Sequence, residues 1–425
     1  MNRPQRIAVI GSGIAGLAAA WLLAREHEVT LYEANDYFGG HTHTVDVTLE
    51  GITAPVDTGF LVHNDLTYPN LIALFRHLGV QTHETSMSFS VGIKKHGIEW
   101  AGNNLDTVFC QRRNLFNPRF LGMLKDILRF NRNASAYLIE ADENGCTLGH
   151  LLDRHAYGSA MREWYLLPMT AAIWSCSTQA SLDFPAATFL RFCLNHCLLQ
   201  INERPIWKTV REGARDYVNR MLPAIDQTHL RCPVRAVRRT PQGVVVQSVK
   251  GVEQYDQVVM ACHAPVSLKL LDCNEEEARI LGAFRTEPNH AVLHTDSLQL
   301  PARRKAWAAW NYRLAAQQSA AVPVTVSYLI NALQPVPWQQ PVIVTLNPYE
   351  AIAEHAVLAQ FDYAHPIMDA AAIAAQCELP RIQGKDRVWF CGAWQGYGFH
   401  EDGLKSALRV ARDFGIAPPW EAVYE

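Results

Sequence analysis

Glycines at positions 11, 13 and 16 and a carboxylate at 33 have the types and spacing to hold a dinucleotide. Gly11 supplies a tight turn, Gly13 lets the backbone approach a pyrophosphate, and Gly16 lets a helix pack close to a strand. Ile14 and Ala15 open that helix, whose unpaired N–H groups and positive dipole end favour phosphate. Glu33, followed by Ala34, can accept hydrogen bonds from ribose hydroxyls. The elements that must position these groups are legible around them. Ile7-Ala8-Val9-Ile10 is short enough for a buried strand, Leu17–Leu23 is rich in helix formers, and Val29–Glu33 reads as a second strand. Arg3 and Arg6 before an apolar run could imitate an export signal, but spaced glycines and an immediate second strand have no place in one.

Glu33 alone does not separate NAD from FAD, because both carry an adenosine ribose. The next stretch, Asp36-Tyr37-Phe38-Gly39-Gly40-His41, sets a glycine doublet just past the acid, where backbone can run close to a bulky ligand. His41 and His43 could form one face of a metal site, yet no third ligand lies nearby, and no metal is expected. Histidine is also the side chain whose proton moves most readily near neutrality. His400 is the first candidate for acid–base work, His365 the second and His63 the third. The alternative for each is a packed ring that transfers no proton.

The doublet resembles the E-x(5 or 6)-G-G extension of the flavoprotein superfamily that includes monoamine and polyamine oxidases, phytoene desaturases and protoporphyrinogen oxidase. Those proteins usually carry Arg where this chain has His41. The C-terminal region is similar to the same family's ending. A strand, Arg387–Phe390, precedes Gly392 and Ala393, and Gly398–Leu404 leads into a helix from Lys405. The resemblance implies that Phe399, Glu401, Asp402, Gly403 and Leu404 lie at the flavin ring, with Phe399 at the position of an aromatic-cage tyrosine. Asp402 stands where relatives usually have Gly, so its carboxylate is expected to turn away as a helix cap. Glu401 is expected to fix the helix rather than react. Trp394 and Tyr397 either wall a substrate pocket or belong to the core. Asp57-Thr58-Gly59-Phe60 resembles the loop beneath the flavin, bringing Thr58, Gly59 and Phe60 to the ring. Cys232–Val237 resembles the strand whose valine backbone, here Val234, meets the adenine.

A narrower resemblance rests on Val56–Phe60, Asn195-His196, Pro205–Val210 and Gly398–Leu404. These are similar to a bacterial group of flavin-binding, amine-oxidase-like proteins often encoded beside cyclopropane-fatty-acyl-phospholipid synthase. That implies a link to membrane-lipid acyl chains and to a fatty-acyl methyltransferase.

Composition agrees with a large two-domain globular protein: 425 residues, 49% hydrophobic and 19% charged. A net charge of −3 offers no general attraction to nucleic acid. Ten scattered cysteines without a C-x-x-C pair suit a reducing cytoplasm. None falls in the family's covalent-flavin context, so the resemblance implies a non-covalent FAD. The expected fold class is α/β, a Rossmann-like FAD-binding domain with a discontinuous α+β substrate domain. The first would comprise residues 1–75, 206–270 and 384–425, and the second 76–205 and 271–383. Within the second, Phe120, Leu124, Ile127 and Leu128 recur at helical spacing among Arg112, Arg113, Arg119, Lys125, Arg129 and Arg132, with only Asp126 opposing. Such a helix could rest on anionic lipid at the inner face of a membrane. It could equally be a core helix with a solvated basic face. Residues 323–330 and 342–346 read as strands, with prolines 335, 337 and 341 between them, and Asp362–Pro366 reads as a turn or loop.

The expectation is therefore an FAD-dependent oxidoreductase, its cofactor non-covalent, acting by hydride transfer with flavin N5 on a hydrophobic substrate, lipid acyl chains first. The alternatives are amine oxidation, isomerisation of a polyunsaturated chain, and a non-catalytic flavin-bound accessory subunit of a lipid methyltransferase.

Overall fold

Ile7, Ala8, Val9 and Ile10 are fully or almost fully buried, and the strand they form, β1 (Arg6–Ile10), has parallel neighbours on both sides. The computed structural model describes residues 3–174, 178–200, 204–314 and 324–424. After β1 come α1 (Ile14–Leu23) and β2 (Glu28–Tyr32). Together with Gln227–His229, Gln257–Met260 and Val388–Phe390 they build a five-stranded parallel sheet in the order Gln227–His229, β2, β1, Gln257–Met260, Val388–Phe390. Burial on both faces explains why these strands read as continuous apolar runs rather than alternating ones. All ten residues of α1 are buried, because the helix lies between the sheet and the C-terminal helix His400–Asp413. Its four alanines and one glycine make that approach possible.

A second sheet carries the rest. Its seven strands run in the order Val357–Ile367, Arg285–His294, Ile343–Leu346, Thr325–Leu329, Trp310–Leu314, Phe89–Ile93, Ile98–Ala101. Every pairing is antiparallel except Trp310–Leu314 with Phe89–Ile93. Helices Pro118–Asn144, Leu167–Trp174 and Ala186–Asn195 share one apolar core with it, and so do Val47, Val56, Leu61 and Val62 from the N-terminal part of the chain. Prolines 335, 337 and 341 lie between two of its strands, and Pro323 lies outside the described residues.

Two expectations are corrected here. Asp362–Pro366 is not a loop but part of the strand Val357–Ile367, in register with Arg285–His294. Pro366 suggested a break, yet this strand is the sheet's edge, where a missing N–H costs no ladder bond. The long helix also turns differently from the simple period. Its buried stripe is Phe120, Met123, Phe130, Ala134, Tyr137 and Ala141, while Leu128 faces out. Phe120 and Phe130, both fully buried, each stabilise the packing by about 2–3 kcal/mol. Arg112 and Arg113 precede the helix, on a short turn at Arg112–Phe116. Pro118 starts the helix, and the Asn117 side chain caps it by accepting from the N–H groups of Arg119 and Phe120.

Candidate active site

One cavity of about 1280 Å³ runs from the turn after β1 to the inner face of the second sheet. Single small-ligand pockets are usually about 300–1,000 Å³. This one has room for a long ligand and a second molecule at its far end.

The near end is built from backbone. Gly11 takes φ +103°, and its N–H donates to the Tyr32 carbonyl. A Cβ on Gly16 would overlap the Gly11 carbonyl oxygen, so only glycine lets α1 start this close to the turn. Gly13, Ile14 and Ala15 face the cavity with no side chain capping the helix, and a Cβ on Gly13 would meet nothing within 4 Å. The glycine doublet serves a different approach from the one expected. Gly39 pairs with Gly13 as an isolated bridge, and a Cβ on Gly40 would lie 3.0 Å from the Gly13 Cα. The doublet therefore closes the loop over the first turn, and both glycines also line the cavity. Glu33 is buried on the cavity wall beside Ala34. Its carboxylate accepts from the Ser12 N–H at 3.1 Å, the Ser12 hydroxyl and the Asn35 N–H at 2.8 Å. Val234 lines the same end.

In the middle, Thr58, Gly59, Phe60, Gly392 and Ala393 form the wall. The Phe60 N–H donates to the His41 carbonyl at 2.8 Å, and a Cβ on Gly59 would overlap that same oxygen. Thr58 Oγ1 contacts Tyr363 Oη at 2.7 Å and His43 Nδ1 at 3.0 Å. Beneath the loop, buried Asp57 accepts from the Ala214 N–H at 2.9 Å and from Gln334 Nε2 at 3.0 Å, and burial pushes its pKa up to about 7.

The first turn of the C-terminal helix divides between wall and support. His400 reaches the cavity, but Glu401, Asp402, Gly403 and Leu404 are not on its wall. Asp402 caps the helix by accepting from the Phe399 N–H at 2.9 Å; burial raises its pKa to about 6. Glu401 accepts from the N–H of Asn70 at 3.1 Å, from Asn70 Nδ2 at 2.7 Å and from the Leu71 N–H at 2.9 Å, so it holds the N-terminus of the helix Pro69–Leu78. A Cβ on Gly403 would come within 2.8 Å of Ile14 Cγ2, which keeps the two helix N-termini side by side. Leu404 is fully buried in the core that includes α1.

The histidines behave as buried neutral rings. His400 stacks on Phe60 with centroids 3.7 Å apart, and its Nε2 lies 2.9 Å from Thr42 Oγ1. Burial, helped by nearby His63, drives its pKa down to about 3. It is therefore a neutral imidazole near neutrality, keeping one ring N–H and stacked along the cavity wall. His365 faces His41 with centroids 5.2 Å apart, and burial lowers it to about 4. His63 is fully buried away from the cavity wall, with no partner on either nitrogen. His263 completes an imidazole cluster with His41, their centroids 6.1 Å apart. Among the described residues His41 Nε2 and His365 Nδ1 have no hydrogen-bond partner, and both rings line the cavity. His263 went unnoticed in the sequence. Its signal is its place just past the C-terminal end of Gln257–Met260, where parallel sheets expose residues to ligands. Among the described residues no group of three His, Cys, Asp or Glu is placed to hold a metal ion.

The far end is a chamber of aromatic and apolar side chains: Trp100, Tyr165, Trp174, Phe192, Trp310 and Tyr328. None of these stood out in the sequence, because they come from elements far apart in the chain. Tyr397 and Phe399 join them, with Phe399 stacked on Phe192 at 5.1 Å. Trp394 touches the cavity but is core in character. It is nearly fully buried against Phe284, and its Nε1–H donates to the Cys262 carbonyl at 3.1 Å. Among the described residues, two buried indole donors of the chamber's rings, Trp174 Nε1 and Trp310 Nε1, have no acceptor.

These residues fit FAD. The glycine cradle and two adjacent helix N-termini suit its pyrophosphate, and the uncommitted nitrogens of His41 and His365 await a polar ligand. One continuous cavity is lined by Glu33 and Val234 as well as by Thr58, Gly59, Phe60 and Ala393, the residues expected at the two ends of the molecule.

Comparison with known proteins agrees. Residues 14–293, more than half of the chain, match the model of the flavin containing amine oxidoreductases. An L-amino-acid oxidase of Pseudechis australis is 48% identical over 44 residues, covering 10% of this chain and 8% of that protein. Polyamine oxidase 5 of Oryza sativa subsp. japonica is 37% identical over 98 residues, covering 23% of this chain and 19% of the relative. The chain thus matches under a fifth of either relative's length. Among solved structures, a CLA-producing fatty acid isomerase from P. acnes superimposes with a TM-score of 0.69 at 14% identity, covering 97% of this chain and 100% of that one. Putrescine oxidase bound to putrescine gives 0.67 at 14% identity, covering 97% and 99%. At such identities the likeness is one of fold.

Proposed function

The chain belongs to the flavin-containing amine oxidoreductases and is an FAD-dependent oxidoreductase; from that premise we propose that its substrate is a long apolar chain with a hydrogen-bond-accepting head, a lipid acyl chain rather than an amine. The observation that carries this reading is the aromatic chamber, two of whose indole donors have no acceptor among the described residues. A buried donor without an acceptor costs about 1–3 kcal/mol, which a carbonyl or carboxylate oxygen would recover once the rings of Trp174 and Trp310 turn towards it. An ammonium group would find two more donors and, among the described residues, no free carboxylate. The described carboxylates on the cavity wall are Glu33, committed to Ser12 and Asn35, and Asp362, 2.9 Å from His290 at the protein surface. A buried cation without a counter-charge is strongly disfavoured.

Bound FAD would supply an electron-pair acceptor at ring atom N5. The protein's part is to hold and to orient. Gly11, Gly13 and the N–H groups of Ile14 and Ala15 receive phosphate oxygens, while Thr58–Phe60 and the neutral His400 ring fix one wall. Phe192, Tyr397 and Phe399 exclude water and align the chain. A neutral His400 offers no imidazolium acid near neutrality.

Anaerobic mixing with fatty acids, acyl esters and amines, followed by flavin absorbance, tests the reading. Bleaching by acyl substrates alone is the expected result. Bleaching by amines alone would overturn it, and conversion of a polyunsaturated chain without lasting bleaching would replace oxidation by isomerisation.

A further inference from the structure

The outward face of the helix Pro118–Asn144 alternates apolar and basic side chains. Leu121, Lys125, Leu128 and Arg132 are all exposed and recur every three or four residues, opposite the buried stripe of Phe120, Met123, Phe130 and Ala134. The pattern continues beyond the helix. Phe116, on the turn before it, is 88% exposed, and Leu105 is 76% exposed. Lone exposed apolar residues need no explanation, but this is a concentration of them in one stretch.

Charge along this stretch of chain is mostly of one sign. From residue 105 to 132 there are six Lys or Arg and two Asp. Asp106 pairs with Arg112 and Lys305, and Asp126 with Arg129. Among the described residues Arg113, Arg119, Lys125 and Arg132 have no carboxylate partner, in a chain whose net charge is −3.

From these observations we infer that this face, from Leu105 to Arg132, docks on an anionic lipid bilayer. Phe116, Leu121 and Leu128 would enter the headgroup boundary, while Lys125 and Arg132 extend their stems and keep their charges at the phosphates. The far end of the helix carries exposed Asp142 and Glu143, which an anionic surface repels, so the N-terminal half sits deeper. A second copy of this chain is a poor occupant, because a twofold contact would set cations against cations. The surface adjoins the cavity: exposed Gly102 and Asn103, just before Leu105, line its mouth. A bilayer-bound chain could therefore enter without crossing water.

The test uses the flavin-loaded full chain and vesicles of neutral phosphatidylcholine, with or without anionic phosphatidylglycerol, read by co-sedimentation without turnover. The docking face predicts binding to anionic vesicles only, weakened by salt. It also predicts at least a tenfold loss of partitioning for the double variant Lys125→Glu, Arg132→Glu, and a smaller loss for Phe116→Ala. Unchanged flavin content and melting temperature would show that both variants fold. Equal binding to neutral vesicles, no binding to either, or undiminished binding by the charge-reversed variant would overturn the proposal. So would a concentration-dependent dimer that the same variants dissolve. Flavin bleaching plays no part, so a wrong substrate class would leave this result untouched.

Discussion

The two ends of the cavity are made in different ways. The nucleotide end is backbone: a glycine turn, a doublet folded over it and two helix N-termini, with Gly16, Gly39 and Gly403 at places where a Cβ would not fit. The chamber end is side chain: aromatic rings from separate helices and strands, with donors left open. A backbone site tolerates almost no substitution. A side-chain site can change its specificity while the fold stands.

The largest effect should follow Gly16→Ala. Its new Cβ would overlap the Gly11 carbonyl oxygen, separating α1 from the turn. A loss of about 3 kcal/mol or more in stability and of bound flavin is expected, from thermal melts and the flavin-to-protein absorbance ratio. Near-normal flavin content would break the comparison at its backbone end.

Next comes acid. His63 and His294 are fully buried, and burial lowers each to about 4 from 6.5. The unfolded chain takes up these protons near 6.5 and the fold does not, so stability is intact above that value and is lost as pH falls from 6.5 towards 4. At pH 5 each costs roughly 2 kcal/mol. The two sites differ: His63 has no partner, whereas His294 lies 2.7 Å from Thr345 Oγ1 and accepts from the Asp296 N–H at 3.1 Å. His63→Phe should flatten the acid loss without harming stability at pH 7, and His294→Phe should destabilise at pH 7 by about 1–3 kcal/mol. Denaturant melts across pH 4.5–8 read both.

At the chamber end, Trp174→Phe and Trp310→Phe remove an unpartnered donor each and keep a ring. Flavin content and stability should stay near normal, while KM for an acyl substrate rises about tenfold, equivalent to one hydrogen bond of about 1.5 kcal/mol. An unchanged KM would remove the donors from the account. The smallest effect is expected from Asp402→Asn, which keeps an acceptor for the Phe399 N–H, shifts stability by under about 1 kcal/mol and removes a titration near pH 6.

The same contrast explains what the sequence could and could not tell. Gly11 to Glu33 was readable because local spacing alone fixes a strand–turn–helix and its terminal acid. Thr58–Phe60 and Gly392–Ala393 were readable only through family resemblance, since their meeting depends on contacts hundreds of residues apart. Asp362–Pro366 misled because proline reads as a break until the strand is seen at a sheet edge. The acid–base reading of His400 rested on residue type, which says nothing of the Phe60 ring stacked on it. The chamber was silent: Trp100, Trp174 and Trp310 share no spacing that a linear reading could detect.

The most direct measurement is a spectral titration of the flavin-loaded protein with two ligands of equal length, a long-chain carboxylate or its methyl ester and the corresponding alkylamine. The account predicts that the oxygen-headed chain binds at least about tenfold more tightly, and that Trp174→Phe or Trp310→Phe erases much of that preference. Tighter binding of the amine, with the preference indifferent to both indoles, would contradict it.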